Sequence, residues 1–405
     1  MSVAVAVLGV SVAAGAAAAP LHLDDALARA RAANATVLAA RAEVEAARGR
    51  ALQARVLPSN PVVAGSLARH TGAEGQEVDR EVSLAQEIEV GGQRGLRIAV
   101  GQQDVARAEF VLTDRLRAVE ADVRRAFAGL LAAERRRALA AEAVAVADRL
   151  AATARGRARA GDVAALDVQL AEVEAARAAQ GRSVAEAEQA AATARLASMI
   201  AADPDETLVV SADEQERVTP APEDELVPRA LARRPDLAAA KAERARLAAE
   251  AALTHRQGWV PNPVLRGFYR QEFFEERIAG GEVSVPLPLW NRSQGTETAL
   301  RAAAAGAATE VERLTRDIPR QVRSTLLRQR VAAEAWRRAE HQALPAAQAA
   351  RTLLERALAG GYLGLSEVLV QQDRVLQVRA AAIGAWLDLR TAEADLGEAV
   401  GGDVE

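Results

Sequence analysis

The chain has 405 residues, 51 basic against 55 acidic, a net charge of −4 and no cysteine. Finely mixed charge with no basic block offers no nucleic-acid surface, and the missing cysteines exclude disulfides, thiolate metal sites and thiol nucleophiles. Half the residues are hydrophobic, yet only 3% are aromatic and much of the hydrophobic class is alanine, which with arginine, glutamate and leucine is the composition of long helices and coiled coils.

Residues 1–19 are expected to be an export signal: Val3 to Val12 is apolar and Ala16 to Ala19 offers small-residue cleavage sites, without a positive n-region. Pro20 argues against cleavage directly after Ala19. No other stretch reaches the ~18 apolar residues of a membrane-spanning helix.

Residues 20–200 read as a first repeat. A helical region over about 23–55 is interrupted near Asn34, a residue type that favours helix N-caps. Leu57-Pro58-Ser59-Asn60-Pro61 stops it. Strands are expected at about 62–69 and 81–90, separated by a turn-rich loop over 71–75. In the second strand Val82, Leu84, Ile88 and Val90 oppose Ser83, Glu87 and Glu89. A long helical hairpin follows over about 94–200. Its first arm has no proline, and Leu112, Leu116, Val119, Val123, Phe127 and Leu130 recur at intervals of three and four, as a packed seam requires. Such an arm is roughly 100 Å long and needs neighbours along its whole length. Gly161-Asp162 breaks it before the returning helix.

Residues 201–222 are a connector, with a turn at Asp203-Pro204-Asp205 and closure at Pro220 and Pro222. The plan then restarts over 223–400, leaving 401–405 as a tail. Arg234-Pro235-Asp236 interrupts a helix as Asn34 did, and Val260-Pro261-Asn262-Pro263 answers Leu57 to Pro61. Strands are expected at about 264–273 and 279–289, and a second hairpin over about 294–400 with its break at Gly360-Gly361. Val283, Val285, Leu287 and Leu289 share one face, with Ser284, Pro286 and Pro288 on the other. Proline donates no ladder hydrogen bond, so this is a strand end. Ser366-Glu367-Val368 stands where Leu166-Asp167-Val168 stood.

The expected fold is therefore mainly α with a small β part: long antiparallel helical hairpins in two structural repeats, and four strands. Four strands cannot close a barrel, which commonly needs about eight, and an open sheet leaves two edges. Either the strands pack on a soluble domain or several chains pool them. Trp259, Phe268, Tyr269, Phe273, Phe274 and Trp290 cluster around the second strand pair. They fit either a membrane-interface girdle or an aromatic core under a hairpin.

Enzymatic chemistry has no support. His22, His70, His255 and His341 are scattered, with no second histidine at i+3 or i+4 to build a metal site. Gly91-Gly92 lacks dinucleotide-site spacing, and there is no phosphate-binding loop or nucleophile elbow. No catalytic, cofactor or metal residue is assigned.

In the proline-asparagine-proline strand entries, in Glu87-Ile88-Glu89-Val90-Gly91-Gly92-Gln93-Arg94 and in Val285-Pro286-Leu287-Pro288-Leu289-Trp290-Asn291-Arg292-Ser293-Gln294-Gly295, the chain resembles the TolC-type outer-membrane efflux channels. The last two look most like the cobalt–zinc–cadmium branch. The resemblance implies a homotrimer whose pooled strands form a shared 12-stranded barrel in outer membrane lipid of a Gram-negative bacterium. Its helices would extend through the periplasm. It implies a passive duct working with a periplasmic adaptor (membrane fusion) protein and an inner-membrane RND-type pump, for heavy-metal export. By the same resemblance Gly161, Asp162, Gly360, Gly361, Tyr362 and Leu363 mark adaptor-docking tips, and Asp167 and Glu367 a periplasmic gate. The family's second acidic gate position is Val370 here.

A soluble periplasmic coiled-coil adaptor or structural rod is the alternative. An adaptor would carry one hairpin and a lipoyl-like domain, and a rod would not break its helices twice for strands. The cargo, metal ion or organic compound, is not written in the sequence.

Overall fold

The computed structural model describes residues 20–72, 75–211, 220–272, 276–360 and 364–402. The expected export signal, Phe273, Phe274, Gly361, Tyr362 and Leu363 lie outside the described residues. The protein is mainly helical, with one four-stranded sheet.

Each repeat opens on two helices separated by one extended residue. Helices α1 (Leu23–Ala33) and α2 (Ala35–Gln53) flank Asn34, at φ −62° and ψ 128°. Helices α5 (Glu223–Arg233) and α6 (Pro235–Trp259) flank Arg234, at φ −63° and ψ 120°. Both break residues still donate their backbone N–H four residues back, to Ala30 and Ala230 at 3.0 Å. Their side chains then reach the end of the hairpin. Asn34 Nδ2 donates to the Met199 carbonyl at 2.9 Å, and Arg234 Nη1 to the Ala399 carbonyl at 3.3 Å. The donors are 200 positions apart, and so are the acceptors.

The hairpins are α3 (Gln93–Ala160) with α4 (Ala165–Ile200), and α7 (Gln294–Arg338), α8 (Leu344–Gly360) and α9 (Leu365–Val400). The first long arm is one unbroken helix; the second differs from the sequence expectation. Residues Ala339–Ala343 form a π-helical turn, and Leu344 N–H donates to the Ala339 carbonyl. Pro345 is the physical reason: it has no N–H for the His341 carbonyl, and its ring would strike that turn of a regular helix.

The sheet is a meander, β1 (Val62–Gly72), β2 (Gly75–Glu87), β3 (Val264–Glu272) and β4 (Glu276–Ser284), antiparallel in the order β1-β2-β3-β4. β2 and β4 start and stop earlier than the alternation predicts. Their limits are set by pairing. Ser284 faces Val264, the first residue after Pro261-Asn262-Pro263, so 285–289 have no partner strand and include two prolines.

Among the described residues the chain forms two compact units that cut across the repeats. One draws on the chain up to Asn34, on residues from Val119 and on Arg328–Asp395. In it the predicted seam residues Val119, Val123, Phe127 and Leu130 are buried. The other holds Ala35–Ala118, Pro220–Leu327, the residues from Leu396, and the whole sheet. Its core packs Leu226, Ala230 and Leu237 against Ile318, Val322, Leu326 and Leu396.

Candidate functional site: a two-faced sheet, its joints and the hairpin ends

Strand alternation and register give the sheet two unlike faces. One carries Val63, Gly65 and Leu67 of β1, Val82 and Leu84 of β2, Leu265, Gly267 and Tyr269 of β3, and Ala279, Gly281 and Val283 of β4. Its large apolar side chains are open, with Leu67 at 77% exposure. The other carries Ser83, only 5% exposed, and an ionic lattice across three strands. Glu81 accepts from Arg266 and, at 2.6 and 2.8 Å, from Arg270. Arg266 also reaches Glu282 at 3.0 Å and Arg270 reaches Glu272 at 2.8 Å. This inverts a soluble sheet, whose apolar face is the covered one. Among the described residues β1 pairs only with β2 and β4 only with β3, so both outer edges keep unpaired backbone groups.

The same joint leads from strand to hairpin twice. Gly92, at φ +74°, precedes Gln93, whose Oε1 accepts the Gly91 N–H at 2.7 Å and whose Nε2 donates to the Val260 carbonyl at 2.7 Å. Ser293, at φ +59°, precedes Gln294, whose Oε1 accepts the Arg292 N–H at 2.8 Å and whose Nε2 donates to the Trp290 carbonyl at 3.0 Å. A glutamine at the first helical position caps its own entry turn in both repeats. The sequence showed the joint but not the shared role of its glutamines.

At the far end of α3 the turn is a Schellman motif. Gly161, at φ +85°, donates to the Ala158 carbonyl at 3.1 Å, and Asp162 to the Arg157 carbonyl at 2.9 Å. Gly360 ends α8. Asp167 and Glu367 occupy the first turns of α4 and α9, where the helix dipole favours a carboxylate. Glu367 Oε2 accepts the Gly364 N–H at 3.3 Å, one half of a capping box. Their neighbours Val168 and Val368 pack into one cluster with Leu150, Ala154 and Ala171, so the structure brings these two helix starts together.

Of the six clustered aromatics, the four that are described do not share one place. Tyr269 lies on the open apolar face, and Phe268 on the ionic face with the Arg266 and Arg270 guanidinium carbons each 5.6 Å from its ring centre. Gly280 faces it, and a Cβ there would lie 2.6 Å from the ring. Trp259 ends α6 beneath the Arg292 guanidinium at 4.5 Å. Trp290 is exposed past the end of β4.

A network that sequence reading missed lines a groove of ≈ 730 Å³ among α2, α3 and α6. Arg50 bridges Glu43 and Asp104, both at 2.8 Å; Arg107 reaches Asp104 at 3.3 Å and Glu243 at 3.5 Å; Arg246 holds Glu243 at 2.8 Å. Burial works against the Asp104 charge, but Arg50 and Arg107 outweigh it and hold the carboxyl below its ordinary range. Hydrogen bonding from Arg246 does the same for Glu243. Glu43 and Glu243 are repeat equivalents, and the signal was their match in Arg41-Ala42-Glu43 and Lys241-Ala242-Glu243. These charges pair with one another and act as structure, although the buried Arg107 Nε makes no hydrogen bond among the described residues. Among the described residues no group of three His, Asp or Glu could hold a metal ion, and no helix is long and apolar enough to cross a membrane.

Two repeats of helix pair, strand pair and long hairpin define the fold of solved outer-membrane channel proteins. The chain is similar to the outer membrane channel CmeC of Campylobacter jejuni, with a TM-score of 0.81 at 14% identity over 95% of this chain and 86% of that one. It is similar also to the outer membrane protein VceC of Vibrio cholerae (0.75, 17%, 95% and 97%) and to the open-state outer membrane channel MtrE of Neisseria gonorrhoeae (0.73, 19%, 95% and 89%). No family model and no curated protein matches the sequence. At these identities the likeness is one of fold.

Proposed function

We propose that this chain is the outer-membrane channel component of a tripartite efflux system in a Gram-negative bacterium. It is a passive duct and no enzyme. The observation that carries the reading is the sheet: an open apolar face, an ionic face opposite, and two free edges. A lipid-facing apolar band over a polar lumen is the pattern of a membrane barrel, and closure is what removes edges. Three copies, each giving four strands, close one 12-stranded barrel by pairing β4 of one copy with β1 of the next. The hairpins then extend into the periplasm. The near end-to-end likeness to outer-membrane channels supports the same reading.

In this reading Tyr269, Trp259 and Trp290, with Phe273 and Phe274, serve the membrane interfaces. The hairpin ends at Gly161-Asp162 and Gly360-Gly361-Tyr362-Leu363 meet a periplasmic adaptor, itself bound to an inner-membrane RND-type pump. Asp167 and Glu367 line the periplasmic gate. Heavy-metal cations are the proposed cargo, on the residues of the two strand-to-helix joints.

The test is fractionation of the full-length product in a Gram-negative host, with the mass of the detergent-extracted complex by light scattering. A trimer from the outer membrane is expected. A water-soluble monomer or dimer would overturn the proposal. The cargo is read separately: a deletion strain carrying the cognate pump should lose zinc, cadmium or cobalt tolerance and regain it with this gene. Restored tolerance to organic compounds alone would remove the metal assignment.

A further inference from the structure

The strands carry five arginines, and they divide by face. Arg266 and Arg270 lie on the ionic face, where carboxylates hold both. Arg69, Arg80 and Arg277 lie on the apolar face. All three are exposed, and none has a hydrogen-bond or ion-pair partner among the described residues. The acidic residues divide more sharply. Asp79, Glu81, Glu87, Glu272, Glu276 and Glu282 all sit at ionic-face positions, so among the described residues the only charges on the apolar face are arginines.

Their height on the sheet is fixed by register. The row Gly65, Val82, Tyr269, Ala279 is apolar, and the next row toward the hairpin turns is Leu67, Arg80, Gln271, Arg277. Arg80 and Arg277 flank Gln271 and lie about 10 Å from each other, two strand spacings, and Arg69 lies one row further, about 7 Å on. Beyond the row of Tyr269 the face thus carries three cations, interleaved with Leu67 and Val78, and no counter-charge among the described residues.

We propose that Arg69, Arg80 and Arg277 form a headgroup site for the anionic phosphates of membrane lipid on the side of the hairpin turns. This rests on the barrel reading above and adds a lipid preference to it. Guanidinium presents paired donors to phosphate oxygens, and long side chains at the edge of an apolar band extend to the headgroup level. A pooled barrel repeats the triplet with each copy and so makes a ring. A protein partner would need to cover Val63, Leu67, Val82, Leu84 and Val283 as well, which lipid tails do without order.

The experiment reconstitutes the full-length protein into equimolar phosphatidylglycerol and phosphatidylcholine vesicles, floats them, and extracts the protein for native mass spectrometry of retained lipid. The wild type is expected to retain phosphatidylglycerol well above the bulk ratio. Each arginine removed lowers that enrichment by roughly fivefold, and R69Q/R80Q/R277Q brings it to the bulk ratio. R266Q, on the other face, leaves it unchanged. If the triple variant does not insert, R277Q alone reads the same step. Flotation with a bulk lipid ratio in the wild type, or enrichment that survives R69Q/R80Q/R277Q, would overturn the headgroup site and leave the barrel. A wild type that floats with no vesicle would overturn the barrel and the site together.

Discussion

Gly258 has no room for a side chain: a Cβ there would lie 2.0 Å from the Arg292 carbonyl oxygen, a backbone atom that cannot rotate away. Gly295, a few residues along the same joint, has nothing within 4 Å. Gly258→Ala is therefore expected to destabilise by about 1–3 kcal/mol through overpacking. Gly295→Ala, inside a helix, should stabilise by up to about 1 kcal/mol. Urea unfolding of both variants in detergent separates them. Equal effects would mean the α6–joint contact is not as close as described.

Asp236 is a second residue whose environment gives a sign. Burial opposes its charge, but hydrogen bonds and charge from Arg234, with the Leu237 N–H, outweigh burial and hold the carboxyl below its ordinary range. Arg234 is 6% exposed and makes a double bridge to it, at 2.6 and 3.0 Å. A carboxyl depressed in the folded state contributes stability that is full above its unfolded pKa of about 4 and is lost as pH falls through the folded value. Asp236→Asn should cost about 2 kcal/mol at neutral pH, because a buried guanidinium loses its partner, and the penalty should shrink below pH 4. Unfolding measured across pH 2–7 checks both; a penalty independent of pH would remove the ionic account.

At the scale of elements, what the sequence made legible is what local chemistry decides. The Asn34 and Arg234 breaks, the glycine at the end of α3 and the proline-asparagine-proline strand entries each follow from one residue's backbone preference. Strand limits were less legible because pairing sets them, and the partner strand lies some 200 residues away. The π-turn at Pro345 was not legible because a proline alone does not dictate one: Pro319 sits inside regular α7. The ionic network at Asp104, Arg107 and Glu243 was invisible because i,i+3 charge pairs look the same whether solvated or shared. The aromatic cluster was visible, but the facing of Phe268 against Tyr269 depends on register alone. The glutamine joints test this division. Gln93 is 1% exposed and satisfies two backbone groups of separate segments, whereas Gln294 is exposed and bonds only within its own turn. Gln93→Ala should cost about 1–3 kcal/mol, the penalty of groups left unsatisfied, and Gln294→Ala under about 1 kcal/mol. A reversed order in thermal unfolding would show that the second joint, not the first, holds its hairpin.

At the scale of the whole molecule, one chain cannot satisfy its own sheet. The backbone groups on the outer edges of β1 and β4 have no partner strand among the described residues, and the apolar face would stand in water if the chain were alone. Pooling strands answers both with one geometry, because closure pairs the edges and sets the apolar face toward lipid. The chain has no cysteine, so engineered thiols report only the intended contact. Leu67→Cys on β1 is combined in turn with Ala279→Cys, Gly281→Cys and Val283→Cys on β4. Within one chain β2 and β3 separate these strands by three spacings, about 14 Å, beyond the roughly 7 Å limit for a disulfide. Any link must therefore join two copies. Oxidation in native membranes is expected to give bands of two and three chains for one of the three combinations, the one whose register matches, and monomer for each single variant. A cyclic trimer linked at every junction carries three disulfides and runs as one species until reduced. Monomer in all three combinations, alongside a monomeric mass in detergent, would mean that β1 and β4 never meet in this assembly and that another surface covers the sheet.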